Sequence, residues 1–213
     1  MDIVKRRLSA IRGLEPLHEN ERTSYNITAL KKGGYLELDG NTWKVINVFM
    51  YLDVKWSSFR PRKNDYWITE LELFSLNTGK TIYVEWELDD ELEICRTDAL
   101  VKMRDIQFDG KPLKSADLEY IADEEEGDVS INGVRYSYNE DDTWAGLFFK
   151  RRGEKDGVPM RAYEFESSDG QYLTVETWHE DDEERPEREA FLSHTVRSED
   201  ITVLQIEEVG REA

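Results

Sequence analysis

The side chains best suited to chemistry in this 213-residue chain are few: three histidines, His18, His179 and His194, and a single cysteine, Cys95. The histidines form no HxH or HExxH arrangement, so an imidazole metal site lacks its usual spacing. One thiol can build neither an internal disulfide nor a thiolate zinc centre. Cys95, in "LEICRTD", has Arg96 beside it to lower a thiol pKa, but the apolar Ile94 and the strand-like setting suit an inert buried thiol.

Carboxylates are abundant instead, 47 Asp plus Glu against 28 Lys plus Arg, for a net charge of −19. At that density, pairs such as Glu70 and Glu72 arise without catalytic purpose, and their alternation with Ile68, Leu71 and Leu73 assigns them to a solvated strand face. "HEDDEE", from His179 to Glu184, could offer oxygens to a divalent cation, yet it lacks the alternation and glycine of a calcium loop and reads as an acidic hairpin end. No nucleophile elbow, Walker sequence or GxGxxG is present. The expectation is therefore a non-enzymatic chain with no cofactor and no metal.

Binding is better supported. "KWSSFRPRKND" and "FFKRRGEKDG" are basic loops on an otherwise acidic chain, and each carries aromatic residues. They make Trp56, Arg60, Arg62, Lys63, Arg151 and Arg152 candidates for contact with an acidic partner or with lipid headgroups. Trp178 joins them because it follows Val175 by three, whereas Trp86 follows Val84 by two. It should thus face away from the position of Trp86, which Thr177 takes over. Aromatic and basic residues together can also bind single-stranded nucleic acid, but the surrounding negative charge repels phosphates and argues against it.

The elements that must position these residues are mostly strands. Mean hydropathy is −0.71 and 38% of residues are hydrophobic, but 6 Trp, 10 Tyr and 8 Phe supply bulky burial for a folded protein with a wet surface. From Gly34 the apolar period is two. Asp39-Gly40 and Asn132-Gly133 each sit where a two-residue hairpin turn is needed. "ITELELFSLNTGKTIYVEW" and "RAYEFESSDGQYLTVETW" form a second matched pair of hairpins, so the chain reads as a duplicated β unit. The spacing predicts two tandem antiparallel lobes, small curved sheets or partly closed barrels, over residues 30–106 and 124–213. Residues 107–123 form a connector containing a possible short helix from Ser115 to Ile121, and residues 1–29 form an N-terminal helix and linker.

That first helix, "MDIVKRRLSAIRGL", spaces Ile3, Val4, Leu8 and Ile11 helically among Lys5, Arg6, Arg7 and Arg12. Either its apolar stripe packs on the protein's own body, or the helix lies on an anionic membrane or in a partner's groove. No run approaches the ~20 apolar residues of a membrane span, and no signal-peptide stretch opens the chain, which predicts a cytoplasmic protein.

The order of Asp/Asn-Gly turn, aromatic strand, Trp67-Ile68-Thr69-Glu70, turn glycine and a hydrophobic strand with tryptophan resembles the family known as domain of unknown function 4178. The resemblance covers residues 30–106 and, more weakly, 124–206, where Met160 to Glu164 replace the Trp-x-x-Glu phrase. It implies a mainly β binding module with no catalytic residues, whose members tend to be encoded beside envelope-stress proteins of the phage-shock and stomatin-like kinds. The expected function is thus an adaptor or accessory subunit with a protein partner and peripheral membrane contact through residues 1–14. Two alternatives stay open, an acidic decoy or inhibitor of a basic protein and an enzyme with a carboxylate site.

Overall fold

The computed structural model describes residues 3–63, 66–151, 153–179 and 187–208. Of the residues singled out above, Arg152 and the acids of "HEDDEE" after His179 lie outside the described residues.

Helix α1 (Ile3–Arg12) and two 3-10 turns precede strands β1 (Tyr35–Leu38), β2 (Asn41–Val54), β3 (Trp67–Ser75), β4 (Thr81–Leu88), β5 (Leu92–Leu100), β6 (Ile106–Phe108) and β7 (Lys111–Pro112). Helix α2 (Ser115–Glu124) follows, and then β8 (Asp128–Ile131), β9 (Val134–Phe149), β10 (Val158–Ser167), β11 (Tyr172–Trp178), β12 (Glu187–Thr195) and β13 (Thr202–Gln205). The fold is mainly β and antiparallel with a short N-terminal helix. Among the described residues no helix is long and apolar enough to cross a membrane.

Turn chemistry sets the hairpins. Leu38 pairs with Asn41 around Asp39-Gly40, whose φ angles are 51° and 66°, and Ile131 pairs with Val134 around Asn132-Gly133, at 51° and 83°. Both central residues are in the left-handed region, which Asn, Asp and Gly tolerate and which matches the twist of the flanking strands. Asp109-Gly110 repeats the device between β6 and β7, inside the segment read as a connector.

The chain divides into two compact units that cut across the expected lobe boundaries. Unit one takes Met1–Met50, Ile68–Arg96 and Val196–Ala213; unit two takes Tyr51–Trp67 and Thr97–Thr195. Within unit one the strand order is β13-β1-β2-β3-β4-β5, and within unit two it is β12-β11-β10-β9-β8-β6-β7. The last strand of the chain therefore pairs with β1, and β6, which ends the first half, pairs with β8. Closing the long connection from β1 to β13 is entropically inexpensive because the penalty grows only logarithmically with length, so the last strand can complete an edge far away in sequence.

Unit one packs Leu36, Trp43, Leu71, Leu73, Val84 and Val203 on one sheet face under Ile27 and Leu30 of a 3-10 turn. On the opposite face Tyr35, Phe74 and Leu204 meet Ala10 of α1. Unit two builds its core from Tyr163, Phe165, Leu173 and Val175 with Leu118 and Ile121 of α2, so the expected connector is a core element. Helix α1 inverts the self-packing alternative. Arg7 donates to the carbonyls of Leu76 and Asn77, Arg6 stacks on Phe74 and Ala10 is buried, while Ile3, Val4, Leu8 and Ile11 are exposed.

Candidate binding site

The core face of unit two contains a row of three cross-strand neighbours, Arg161 on β10, Thr177 on β11 and Arg188 on β12. Unit one has Thr69, Trp86 and Ile94 at the corresponding row, two residues beyond Val84 as Thr177 lies two beyond Val175. A tryptophan fills that space in unit one. In unit two a threonine leaves it open, and a loop enters it.

The loop follows β2. Ser58 N–H and Phe59 N–H both donate to the Lys55 carbonyl, closing one helical turn, and Phe59 is held at φ 51°. A bulky L-residue in the left-handed region costs on the order of 1–2 kcal/mol, and such strain tends to collect where function requires it. Its effect here is to aim two aromatic rings at the row. Trp56 meets Tyr163 edge-on at 5.3 Å, and Phe59 packs on the His179 ring at 5.3 Å. The Arg161 guanidinium lies 4.8 Å from the Trp56 ring centre and 5.3 Å from that of Phe59, and its Nη2 donates to the Trp56 carbonyl at 3.4 Å. Thr177 Oγ1 is 3.3 Å from His179 Nε2, and the His179 amide donates to the Pro159 carbonyl at 2.8 Å.

Two arginines, Arg161 and Arg188, bring positive charge to the row. Burial, reinforced by the Arg161 charge, pushes the His179 pKa below its usual value, and Glu119 on α2 opposes this. Burial also raises the Tyr163 pKa against the pull of Arg161. Two donors in this row have no hydrogen-bond partner although buried, Arg161 Nε and Arg188 Nη1. An unmade bond to a buried charged donor is destabilising by about 1–3 kcal/mol, so each of these two donors weakens the fold as it stands. Cross-strand partners flanking one strand stand about 10 Å apart at the backbone, a gap that two arginine side chains can close on a carboxylate or phosphate.

The described residues expected to bind fall within unit two. Trp56 is half-buried in the site just described. Arg60 and Lys63 are exposed on the same loop, and Arg62 pairs with Asp53 at 3.2 Å, whose pKa burial raises. Arg151 is exposed on the loop after β9. The two loops meet at their bases, where Trp67 and Phe149 rings lie 5.7 Å apart. Trp178 faces away from the Thr177 row, as its spacing predicts, but it is not a projecting aromatic. It packs edge-on against Phe148 at 5.2 Å, and Phe148 in turn contacts Tyr51.

Sequence reasoning did not find Arg161, Arg188 or Phe59. The available signal was the contrast between Trp86, two residues beyond Val84, and the much smaller Thr177, two beyond Val175. Among the described residues no group of three or more His, Cys, Asp and Glu is placed to hold a metal ion.

The chain is similar to a protein of Aquifex aeolicus (strain VF5) described as "Uncharacterized protein", 29% identical over 171 residues, 78% of this chain and 80% of that relative. No solved structure matches it. The pattern of the Domain of unknown function (DUF4178) family matches in one span, residues 31–198, across both halves of the chain rather than once for each. Since that span takes in β1 to β12 with the two-arginine row, this chain belongs to the DUF4178 family.

Proposed function

We propose that the protein acts by binding rather than catalysis, as a cytoplasmic adaptor or accessory subunit that captures an acidic segment of a protein partner. The carrying observation is the row of Arg161, Thr177 and Arg188 with its two buried, unpartnered guanidinium donors. A partner's carboxylate would satisfy both donors, Trp56 and Phe59 would flank the acidic side chain, and Arg60, Lys63 and Arg151 would steer an acidic segment toward it. In a chain of charge −19 such a local positive surface selects its partner by charge contrast. The shared strand orders of the two units support reading them as copies of one ancestral unit, of which only the second opened this row.

The test is fluorescence polarisation with a labelled octaglutamate peptide, alongside octalysine and an uncharged control. Arg188→Gln should weaken octaglutamate binding at least about tenfold, and charge reversal of Arg60, Lys63 and Arg151 should slow association and reduce its salt dependence. Equal binding by the wild type and Arg188→Gln would refute the assignment.

A second reading has its own observation. Glu70, Glu72, Glu85, Glu87 and Glu93 share one face of β3, β4 and β5 in unit one, with Glu70 opposite Glu85 and Glu87 opposite Glu93. Burial and the neighbouring Glu87 push the Glu85 pKa up to about 7, as expected where carboxylates are crowded. This face suits an acidic decoy for a basic protein, and binding of octalysine that is lost in Glu85→Gln, Glu87→Gln would favour it.

A further inference from the structure

Beyond the site in unit two, unit one carries a second charged feature that the adaptor reading does not use. A cavity of about 250 Å³ opens beside α1, lined by Arg6, Lys32, Lys44 and Phe74 and by Glu208 near the C-terminus. Three cations thus converge on one hollow of a strongly acidic protein. Arg6 Cζ lies 4.0 Å from the Phe74 ring centre, which fixes the guanidinium at the wall, and Lys32 Nζ donates to Asn47 Oδ1 at 3.0 Å. The Glu208 carboxylate at its edge is 3.6 Å from Lys44 Nζ, longer than a hydrogen bond, and the same Nζ lies 5.4 Å from the Tyr35 ring centre. Gly33 permits this approach: its φ is +91°, and a Cβ there would fall 2.5 Å from Glu208 Cβ.

Immediately outside the cavity is the inverted helix. Val4, Leu8 and Ile11 are 48–55% exposed and, at 100° per residue, fall within one narrow arc of α1, with Lys5 and Arg12 beside it. The helix is preformed for contact. Arg7 Nη2 bonds the Asn77 carbonyl at 2.6 Å, and Tyr35 Oη donates to the Ala10 carbonyl at 2.8 Å. An apolar arc flanked by cations on an otherwise acidic molecule complements the boundary between acyl chains and anionic headgroups, whereas a protein groove would complement the arc but leave the cavity unused.

We infer that α1 and the adjoining cavity form a peripheral docking surface for an anionic phospholipid bilayer, in which Val4, Leu8 and Ile11 enter the interface and one lipid phosphate takes the hollow between Arg6, Lys32 and Lys44. Glu208 holds the place of that phosphate in the unbound protein.

The test is cosedimentation with phosphatidylcholine vesicles with and without phosphatidylglycerol, paired with calorimetric titration of inorganic phosphate. The wild type should sediment only with the anionic vesicles. Lys44→Gln and Lys32→Gln should each lower partitioning about fivefold, Leu8→Asp about tenfold or more, and Glu208→Gln should raise it by removing the competing carboxylate. Thermal melts of the three variants expected to lose binding check their folding, and Glu208→Gln needs no such control because it predicts a gain. Equal sedimentation with neutral vesicles overturns the proposal. So does phosphate binding that depends on Lys44 without any vesicle binding, which would assign the cavity to a soluble anion. A failure to sediment with either vesicle overturns it also, and leaves the exposed arc to a protein groove.

Discussion

Replacing Arg188 by methionine should stabilise the unliganded protein, the reverse of what removing a half-buried cation from a satisfied site would do. Arg188 Nη1 is buried without a hydrogen-bond partner, and the row it belongs to already contains Arg161 across Thr177. The unmade bond is unfavourable by about 1–3 kcal/mol. Methionine keeps a similar length and an adaptable apolar stem, so little packing is lost. A net gain of about 1–2 kcal/mol is expected, a rise of about 2–8 °C in Tm for a chain of this size. Urea denaturation followed by tryptophan fluorescence measures it as a higher midpoint at unchanged slope, and the same sample in the peptide assay should lose octaglutamate binding. Higher stability with lost binding is the signature of a receptor held in an unsatisfied state. A fall in stability of 1 kcal/mol or more in Arg188→Met would refute the reasoning, since Arg188 would then be a structural donor.

Further outcomes follow from single groups. The folded pKa of His179 lies below the ordinary 6.5, so the unfolded chain binds the proton first. Stability from this residue should be present above about 6.5 and be lost as pH falls toward the depressed folded value, and His179→Gln should remove that acid-side slope in pH-dependent urea melts. Glu85 has the opposite sign. Its folded pKa of about 7 lies above the ordinary 4.5, so its contribution is full below about 4.5 and is lost as pH rises through about 7, and Glu85→Gln should be more stable than the wild type at pH 8 by on the order of 2–3 kcal/mol. Gly40→Ala and Gly133→Ala place a Cβ in open space, with nothing within 4 Å, yet at φ +66° and +83°. Each should therefore lose only about 1 kcal/mol from backbone strain, visible as a small midpoint shift at constant slope, and a larger loss would mean the turns make contacts of their own.

Legibility in the sequence divides along the range of the interactions involved. The hairpins were readable because Asp39-Gly40 and Asn132-Gly133 act locally: two adjacent residues that accept positive φ, between runs of period two, leave few other conformations. That Trp178 faces the side of the sheet opposite Thr177 was readable for the same reason, since alternation along a strand is geometric. The basic character of residues 55–63 and 150–151 was equally plain. That both loops belong to one unit was not, because it depends on Trp67 meeting Phe149 and Tyr51 meeting Phe148 across about a hundred residues of sequence.

The site itself was half visible. Trp56 stood out as an aromatic among cations, but Arg161 in "MRAYEFE" and Arg188 in "EREAF" look like the charged half of ordinary alternating strands. Only the pairing of β10, β11 and β12 shows that they share the core-facing row. Helix α1 shows the same limit. Its amphipathic spacing is a property of the sequence, but whether the apolar or the arginine side turns inward was decided by the carbonyls of Leu76 and Asn77, which needed donors that Arg7 could supply. By itself, then, the sequence determined the strands, their turns, the faces each strand divides into and the local signs of charge, all of which depend on neighbours in the chain. The tertiary structure alone decided which end strand completes which sheet, which face becomes interior and which cations are left without partners, because those outcomes depend on long-range pairing and on what competes for each buried position.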